Sequence, residues 1–406
     1  MSAPRGSMSA GRTVAVIGGG IVGSYVAYEL ARSGWTVEVL DAAGGPNASS
    51  GNAGILALSY AKPMSNPQAL VAGARSVLGL AHDVELARPI RGRTVRWMAR
   101  FALESRPFRA QRAAHTIAEM ARHSVVLYDE LADRESVDLG FRRTGWLYVA
   151  RDAAALRTQQ SLAESVASVG VRSQVIHGQE LYDLEPGLSP GLTGGVFYPD
   201  DISMDPGHVT SAVVEAARRA GTQYSSERVV SAQLDRGRVL SLRTETGRTV
   251  NADNFLIATG AQSADVGRML GVRLPVEPAY GYSLVIPTSG RLGTRALMNL
   301  DDHVVVNPGD DSVRITGGMQ FGGGSERTPT DDQVSGLRRS AEAVLPALRD
   351  VQAAGVAWRG ARPMTPSGLP IVNRFGANVV AVTGHGTLGM TLAPHSAQRA
   401  CSLITG

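Results

Sequence analysis

Three glycines in the segment IGGGIVGS stand in the order Gly18-x-Gly20-x-x-Gly23, a spacing that can seat the pyrophosphate of a dinucleotide. Each position has a separate task in that reading: a tight turn at Gly18, close approach of the phosphates at Gly20, and close packing of helix on strand at Gly23. The anion would then lie at a helix N-terminus, where free N–H groups and the positive end of the dipole favour it. Ile21 and Val22 open that helix. Asp41 lies about 18 residues beyond Gly23, at the end of a second apolar run, TVEVL, where a carboxylate can bind ribose hydroxyls. Glycine spacing by itself also fits an ordinary turn. Here it follows a β-branched run, TVAVI, and precedes VAYELARSG, whose apolar residues recur at helical spacing. Strand, turn, helix and strand make a βαβ unit, and such units build parallel sheets.

The elements that must carry this site fill a long chain. Its 406 residues suit about two or three domains. A 43% hydrophobic and 19% charged composition fits a globular protein. Forty Lys and Arg against 36 Asp and Glu give a formal charge of +4 without a concentrated basic run, so nucleic acid is not an expected partner. Cys401 stands alone, so neither an intramolecular disulfide nor a cysteine metal cluster is expected, and the chain suits a reducing compartment. No stretch of apolar residues is long enough for a secretory signal or a membrane span. The expectation is a cytoplasmic protein without a transmembrane segment, with peripheral membrane contact left open. Residues 1–11 are set aside as a tail.

Residues 66–140 are rich in helix formers and read as a helical insertion. Short strands and one helix, at 153–169, follow to residue 199. The segment DPGHVTSAVVEAARRAG predicts a helix started by Asp205-Pro206 and ended at Gly221. After it, alternating strands broken at Arg236-Gly237 and Thr246-Gly247 predict a three-stranded antiparallel meander that ends in FLIATG, residues 255–260. Strands are expected at about 279–286, 303–307 and 312–317, and a helix at 331–348. No linker separates these blocks, so two domains should interleave.

Several segments carry a family resemblance. VAVIGGGIVGSYVAYELARSGWTVEVLD with the following SSGNAGI, YGYSLVIP at 280–287, and WRGARPMTPSGLPIV with GHGTLGMTLAP together resemble D-amino-acid dehydrogenases and, more distantly, glycine and sarcosine oxidases. FLIATG is similar to a second flavin signature of large FAD oxidoreductases. The resemblance implies an α/β fold: a Rossmann-like FAD-binding domain from residues 12–65, 200–265 and 355–406. Interleaved with it is an α+β substrate domain, 66–199 and 266–354, containing an antiparallel sheet. It implies non-covalent FAD, because Cys401 lies in the last helix, beyond the GHG turn, and is not placed for a flavin link. The implied flavin contacts, besides the glycine motif and Asp41, are Ser50, Asn52, Ala53, Gly54, Ile55, Val229, Val230, Thr259, Gly260, Arg362, Gly384, Gly386, Thr387, Leu388, Gly389 and Met390. No metal is implied.

The resemblance also assigns a chemistry. The arginine of the G-x-R-P turn, here Arg362, corresponds to one that binds the substrate carboxylate in glycine oxidase, and a guanidinium fork suits a carboxylate. Where that oxidase has a second arginine in its GH segment, this chain has Thr387, as dehydrogenases do. The oxidase's site tyrosine falls near Val304, which leaves His303, Tyr280 and Tyr282 as pocket candidates, with His385 beside the closing turn. A hydrogen-bonded structural role fits either histidine as well as a catalytic one. Tyr280 replaces a lysine that many dehydrogenases carry. The implied reaction oxidises the C–N bond of an amino acid, foremost a D-amino acid, to an imino acid that water converts to a 2-oxo acid and ammonia. Alternatives are glycine, sarcosine, D-proline, hydroxyproline or a biosynthetic amine as substrate, and an electron-transfer subunit of a larger complex. The electron acceptor would be a quinone, an electron-transfer protein or oxygen.

Overall fold

The computed structural model describes residues 12–42, 47–61, 63–67, 70, 85–87, 92–322 and 328–406. The expected helical insertion therefore lies partly outside the described residues. Among those described, the chain begins β1 (Thr13–Ile17), α1 (Ile21–Arg32), β2 (Thr36–Leu40), β3 (Ile55–Leu56), β4 (Glu85–Ala87), α2 (Gly92–Glu104) and α3 (Pro107–Glu135). It continues β5 (Trp146–Ala150), α4 (Ala153–Ala167), β6 (Gln174–Ile176), α5 (Gln179–Leu184), β7 (Gly194–Tyr198), β8 (Ile202–Ser203) and α6 (Pro206–Arg219). Next come β9 (Gln223–Ser225), β10 (Val229–Asp235), β11 (Arg238–Thr244), β12 (Thr249–Asn251), β13 (Asn254–Ile257) and α7 (Ser263–Met269). The remainder is β14 (Glu277–Pro287), β15 (Ala296–Asn299), β16 (Val304–Pro308), β17 (Ser312–Gly322), α8 (Asp331–Val344), β18 (Val356–Met364), β19 (Ile371–Phe375), β20 (Val379–Thr383) and α9 (Gly389–Thr405).

Two main sheets organise these elements. The first has the order β19-β20-β13-β1-β2-β9, parallel from β20 to β9 with β19 antiparallel at its edge. Its central strands β1, β13 and β20 are buried almost continuously, as a parallel sheet covered on both faces requires. The second sheet holds nine strands in the order β18-β14-β17-β16-β15-β5-β7-β6, with β4 paired to β17. Most of its pairs are antiparallel, but β15–β5 and β17–β4 run parallel. The sheet is thus mixed where an antiparallel one was expected.

The meander β10-β11-β12 forms as expected, but it closes without FLIATG. β13 leaves it to pair in parallel with β1, because FLI is wholly apolar and belongs between two buried strands rather than on a half-exposed ribbon. β15 is a further departure, since four buried residues give no alternation to read. The segment from 355 onward serves both sheets: β18 extends the second, while β19, β20 and α9 complete the first.

Local chemistry sets the helix ends. The Asp205 carboxylate accepts from the N–H groups of Gly207 and His208 at 2.7 and 3.0 Å, Pro206 starts α6, and Gly221 at φ +101° follows its end. Thr330 and Gln333 form a reciprocal capping box on α8. Helix α1 runs against the first sheet with α6 and α9 beside it, and α3 joins this layer through Tyr128 and Leu131. Tyr25 of α1 donates to Leu127 O, and Tyr128 donates to Met390 O at the start of α9, each at 2.8 Å. On the second sheet α8 covers one face, burying Leu337, Ala341 and Val344 against Tyr282, Leu284 and Ile286.

The tightest backbone contact lies where α1 leaves β1. A Cβ at residue 23 would stand 2.0 Å from Gly18 O, and Gly18 itself has φ +105°. Gly23→Ala should therefore cost about 3 kcal/mol through overpacking against backbone that cannot yield. Gly336→Ala in α8, where an added methyl meets nothing within 4 Å, should instead stabilise by about 0.5–1 kcal/mol. Denaturant melts of the two variants against wild type check both signs.

Candidate active site

The glycine motif builds a phosphate cradle at the N-terminus of α1. No side chain of the motif caps this helix, and its first turn holds no acidic residue. The Ile21 N–H instead donates to Ser49 Oγ at 3.0 Å, and a Cβ on Gly20 would lie 3.0 Å from the same hydroxyl. Ser49 thus marks the place an anion would take. The family resemblance points to the neighbouring Ser50, but its hydroxyl serves a local turn with Asn47. Asp41 is exposed just past β2, with its carboxylate against Gly19. Val22 packs against the α1 core layer. This open, uncapped and positively polarised terminus, bounded by glycines, fits a nucleotide pyrophosphate.

The loop after Ser49 is braced from the second sheet. Asn307 of β16 donates its amide to the carbonyls of Ala53 and Gly54, both at 3.0 Å, and Arg314 of β17 donates to Ser50 O at 3.1 Å. Asn52 accepts from the Gly54 N–H at 2.9 Å, and Gly54 has φ +76° where a Cβ would strike Met204 O. Ile55 begins β3, which pairs with β8. Burial lowers the pKa of Arg314.

The second flavin segment and the closing turn meet behind this loop. Ser263 Oγ lies 2.7 Å from Thr383 Oγ1 and 3.2 Å from Thr259 Oγ1, while Thr383 donates to Gly260 O. Residues 260–262 pack against β14 and β18. Gly384 and Gly386 both take positive φ, and the Gly386 N–H donates to Pro363 O at 2.9 Å. That bond ties the closing turn to the strand of Arg362. Leu388 leads into α9, whose N-terminus has no side-chain cap and no acidic residue in its first turn at Gly389 and Met390. Val229 is buried beneath the first sheet, whereas Val230 is 47% exposed at a bulge and contributes no side chain to this core.

Tyr60, Met64, Ile117, Met364, Thr365, His385, Gly386, Thr387 and Leu388 line one cavity. Arg362 stands at its edge, close enough to Tyr60 that the guanidinium opposes the rise that burial causes in the tyrosine pKa. Desolvation lowers the pKa of Arg362 itself. Its guanidinium lies across Gly281, where any Cβ would meet it, and donates to Gly318 O at 2.5 Å. Among the described residues it has no carboxylate partner.

Two of the pocket candidates are turned elsewhere. Register pairs Ala279 with Arg362, Gly281 with Gly360 and Ser283 with Trp358, so these share one sheet face. Tyr280 and Tyr282 fall on the opposite face, with Ala361 and Arg359. Tyr280 lies 4.0 Å beneath the Arg359 guanidinium, and Gln333 of α8 donates to the Tyr282 hydroxyl at 2.5 Å. His303 is also not brought to the cavity. It sits exposed in the turn between β15 and β16 at φ +54°. His385 does line the cavity, but its Nε2 lies 2.9 Å from Ser396 Oγ, and burial pushes its pKa down to about 4. It is a neutral, hydrogen-bonded wall.

Tyr60, which also lines the cavity, is not signalled by any sequence motif. Asp201 accepts from Ser59 N at 2.9 Å and also bonds the Ser59 hydroxyl, fixing the residue before Tyr60. Burial raises the Asp201 carboxyl to about 7. The Tyr60 ring stacks on Trp146 of the second sheet at 6.5 Å. These partners come from distant segments, and no local motif signals them.

Comparison with known proteins agrees with this geometry. A family model described as FAD dependent oxidoreductase, DAO, matches residues 13–403. The chain belongs to the DAO family of FAD-dependent oxidoreductases. FAD is its cofactor, and the two uncapped helix termini with the braced loop between them are the parts of this chain suited to hold it. D-amino acid dehydrogenase from Vibrio cholerae is 28% identical over 97% of this chain and 94% of its own length. The enzyme of the same name from Rhizorhabdus wittichii is 29% identical over 97% and 96%. In fold the chain matches glycine oxidase from Geobacillus kaustophilus with a TM-score of 0.75 at 21% identity, covering 97% of this chain and 95% of that one. L-proline dehydrogenase from P. horikoshii gives 0.72 at 19%, covering 98% and 94%. Among the described residues no helix is long and apolar enough to cross a membrane, and no group of three or more His, Cys, Asp or Glu could hold a metal ion.

The depressed His385 pKa makes a pH prediction. The native state holds this imidazole neutral, so its contribution is complete above the unfolded value near 6.5 and is lost as pH falls through the window toward 4. At pH 5 the loss from this group should be about 2 kcal/mol. His385→Gln, which can still meet Ser396 but does not titrate, should flatten that part of the stability profile. Urea melts at pH 7.5 and pH 5 measure the difference.

Proposed function

We propose that this oxidoreductase oxidises the C–N bond of an amino acid, foremost a D-amino acid, giving an imino acid that water hydrolyses to a 2-oxo acid and ammonia. The observation that carries the reading is Arg362: a desolvated guanidinium at the edge of the cavity with no carboxylate partner among the described residues. A half-buried cation without a counter-ion is under-satisfied, and a substrate carboxylate would offer it charge-assisted hydrogen bonds. The curated relatives named D-amino acid dehydrogenase favour the same substrate class.

Bound FAD supplies the two-electron acceptor for the substrate Cα–H. The chain's own part is to bind and orient. Arg362 anchors the carboxylate, with the Tyr60 hydroxyl beside it. Met64, Ile117, Met364 and Leu388 give the small cavity beside Arg362 a largely apolar lining. His385, neutral across the ordinary pH range, adds no competing charge. The amine loses its proton to solvent before reaction, so orientation rather than a dedicated acid or base accounts for most of the rate.

Anaerobic mixing of the yellow protein with a panel of D- and L-amino acids should bleach the flavin with a D-amino acid foremost. Arg362→Ala should keep FAD and fold while kcat/KM falls about 100-fold or more, the worth of two lost hydrogen bonds to a charged group. Arg362→Lys should recover only part of this, since an ammonium keeps the charge without the fork. Amines lacking a carboxylate should be turned over poorly and equally by all three proteins. A kcat/KM for the best amino acid within a few-fold of wild type in Arg362→Ala would remove the carboxylate reading.

A further inference from the structure

Arg362, Gly360 and Trp358 follow one another on a single face of β18, opposite Ala279, Gly281 and Ser283 of β14. At the far end of this strip from Arg362 the indole of Trp358 lies down along the strand. A Cβ on Gly360 would come within 1.8 Å of the ring, and one on Gly51 within 1.9 Å. Two glycines from separate segments thus leave the slot the indole fills, one in the sheet and one in the loop that carries Ser49.

Both polar atoms at that end are orphaned. Trp358 Nε1 and Ser283 Oγ, a directly opposed cross-strand pair, are buried and have no hydrogen-bond partner among the described residues. Ser283 is only 2% exposed. Buried donors are normally paired, and each one left alone is destabilising enough to call for an explanation. Neighbouring polar groups of the sheet do not share the problem: Tyr282, Gln320 and Arg359 form a bonded network on the opposite face. These two unpaired atoms share the strand face on which the Trp358 ring meets Gly51 of the cofactor-side loop.

We infer that Trp358 is a wall of the flavin site whose indole N–H finds its acceptor only when FAD is bound, with Ser283 beside it as the second polar contact. The pyrophosphate cradle at Ser49 and the cavity beside Arg362 fix the two ends of the space that the cofactor and substrate occupy. Loop residues 49–54 and the β14–β18 face flank the space between them, and the indole touches both. The inference rests on FAD as the cofactor and is independent of the substrate class.

Trp358→Phe keeps an aromatic wall and removes the donor. It should leave the melting temperature of the FAD-depleted protein within a few degrees of wild type, while the Kd for FAD rises about 3- to 10-fold. Flavin emission of the holoprotein should rise several-fold, because an indole in contact with the flavin quenches it and a phenyl ring does not. A second measurement needs no substitution: 5-fluorotryptophan labelling gives fluorine resonances for the chain's four tryptophans, and one should move when FAD is removed. If Trp358→Phe matches wild type in both FAD affinity and flavin emission, or if no fluorine resonance responds to FAD, the indole is structural and the inference is overturned. Loss of amino-acid turnover with these signals intact would count against the proposed substrate instead.

Discussion

The approach of α1 to β1 at Gly23 is the constraint on which the rest of the molecule depends. A backbone oxygen lies where the Cβ of any other residue would stand, so the helix sits on its strand at a distance only glycine permits. Its N-terminus is thereby fixed against the carboxyl end of the first sheet, the place where ligands of such sheets bind. From there the packing spreads outward. Tyr25 and Tyr28 of α1 are almost fully buried, α6 and α9 pack along the helix, and α3 bonds through Tyr25 and Tyr128 to α1 and α9. The two helix termini whose N-cap residues give no side-chain cap are consequently parts of one packed layer.

The second sheet reaches this layer through an apolar cluster, where Ile117 of α3 and Leu392 of α9 pack with Trp146, Tyr148 and Met298, and through polar contacts to the loop. Asn307 spends its amide on the carbonyls of Ala53 and Gly54, and Arg142 in turn donates to Asn307 Oδ1 at 2.9 Å. Burial depresses the pKa of Arg142 as it does that of Arg314. Such desolvated side chains are tolerated because carbonyl oxygens accept their protons, and the geometry demanded by those bonds fixes the loop more narrowly than apolar packing would. The loop's position is then set jointly by the strand behind it and the sheet in front of it.

What was legible in the sequence follows from the range of the forces involved. The glycine motif, the Asp205 cap and the β11 turns are local, each decided by backbone sterics or a hydrogen bond within a few residues, and the chain shows them plainly. The lack of a linker between the blocks is the ground for expecting two interleaved domains. The membership of β13 was less clear, because FLI follows the meander in sequence but is claimed by β1 across more than 200 residues. At the site, Arg362 and the closing glycines could be located by resemblance, and Pro363 O and Gly386 N do join their segments. The facing of Tyr280 and Tyr282 could have been anticipated from strand alternation once Gly281 was paired with Gly360. Ser49, Tyr60 and Trp358 could not, since their importance comes from partners at Ile21, Trp146 and Gly51 that no local pattern names.

The same logic explains why the site holds so little acid–base machinery. Three features favour negative charge: the start of α9, the start of α1, and a guanidinium that among the described residues has a carbonyl but no carboxylate to satisfy it. His385 is held neutral, so it adds no charge to the space. A site of this kind is incomplete until anions enter it, and the energy withheld in the free protein becomes available when a phosphate, a reduced ring or a carboxylate arrives. Gly281 and Gly318 are what make the arrangement rigid. Side chains there would collide with Arg362 and Tyr282 respectively, so the guanidinium can lie flat across one strand and bond to the next. The cost of preorganising the charge is borne during folding, leaving little reorganisation when substrate binds.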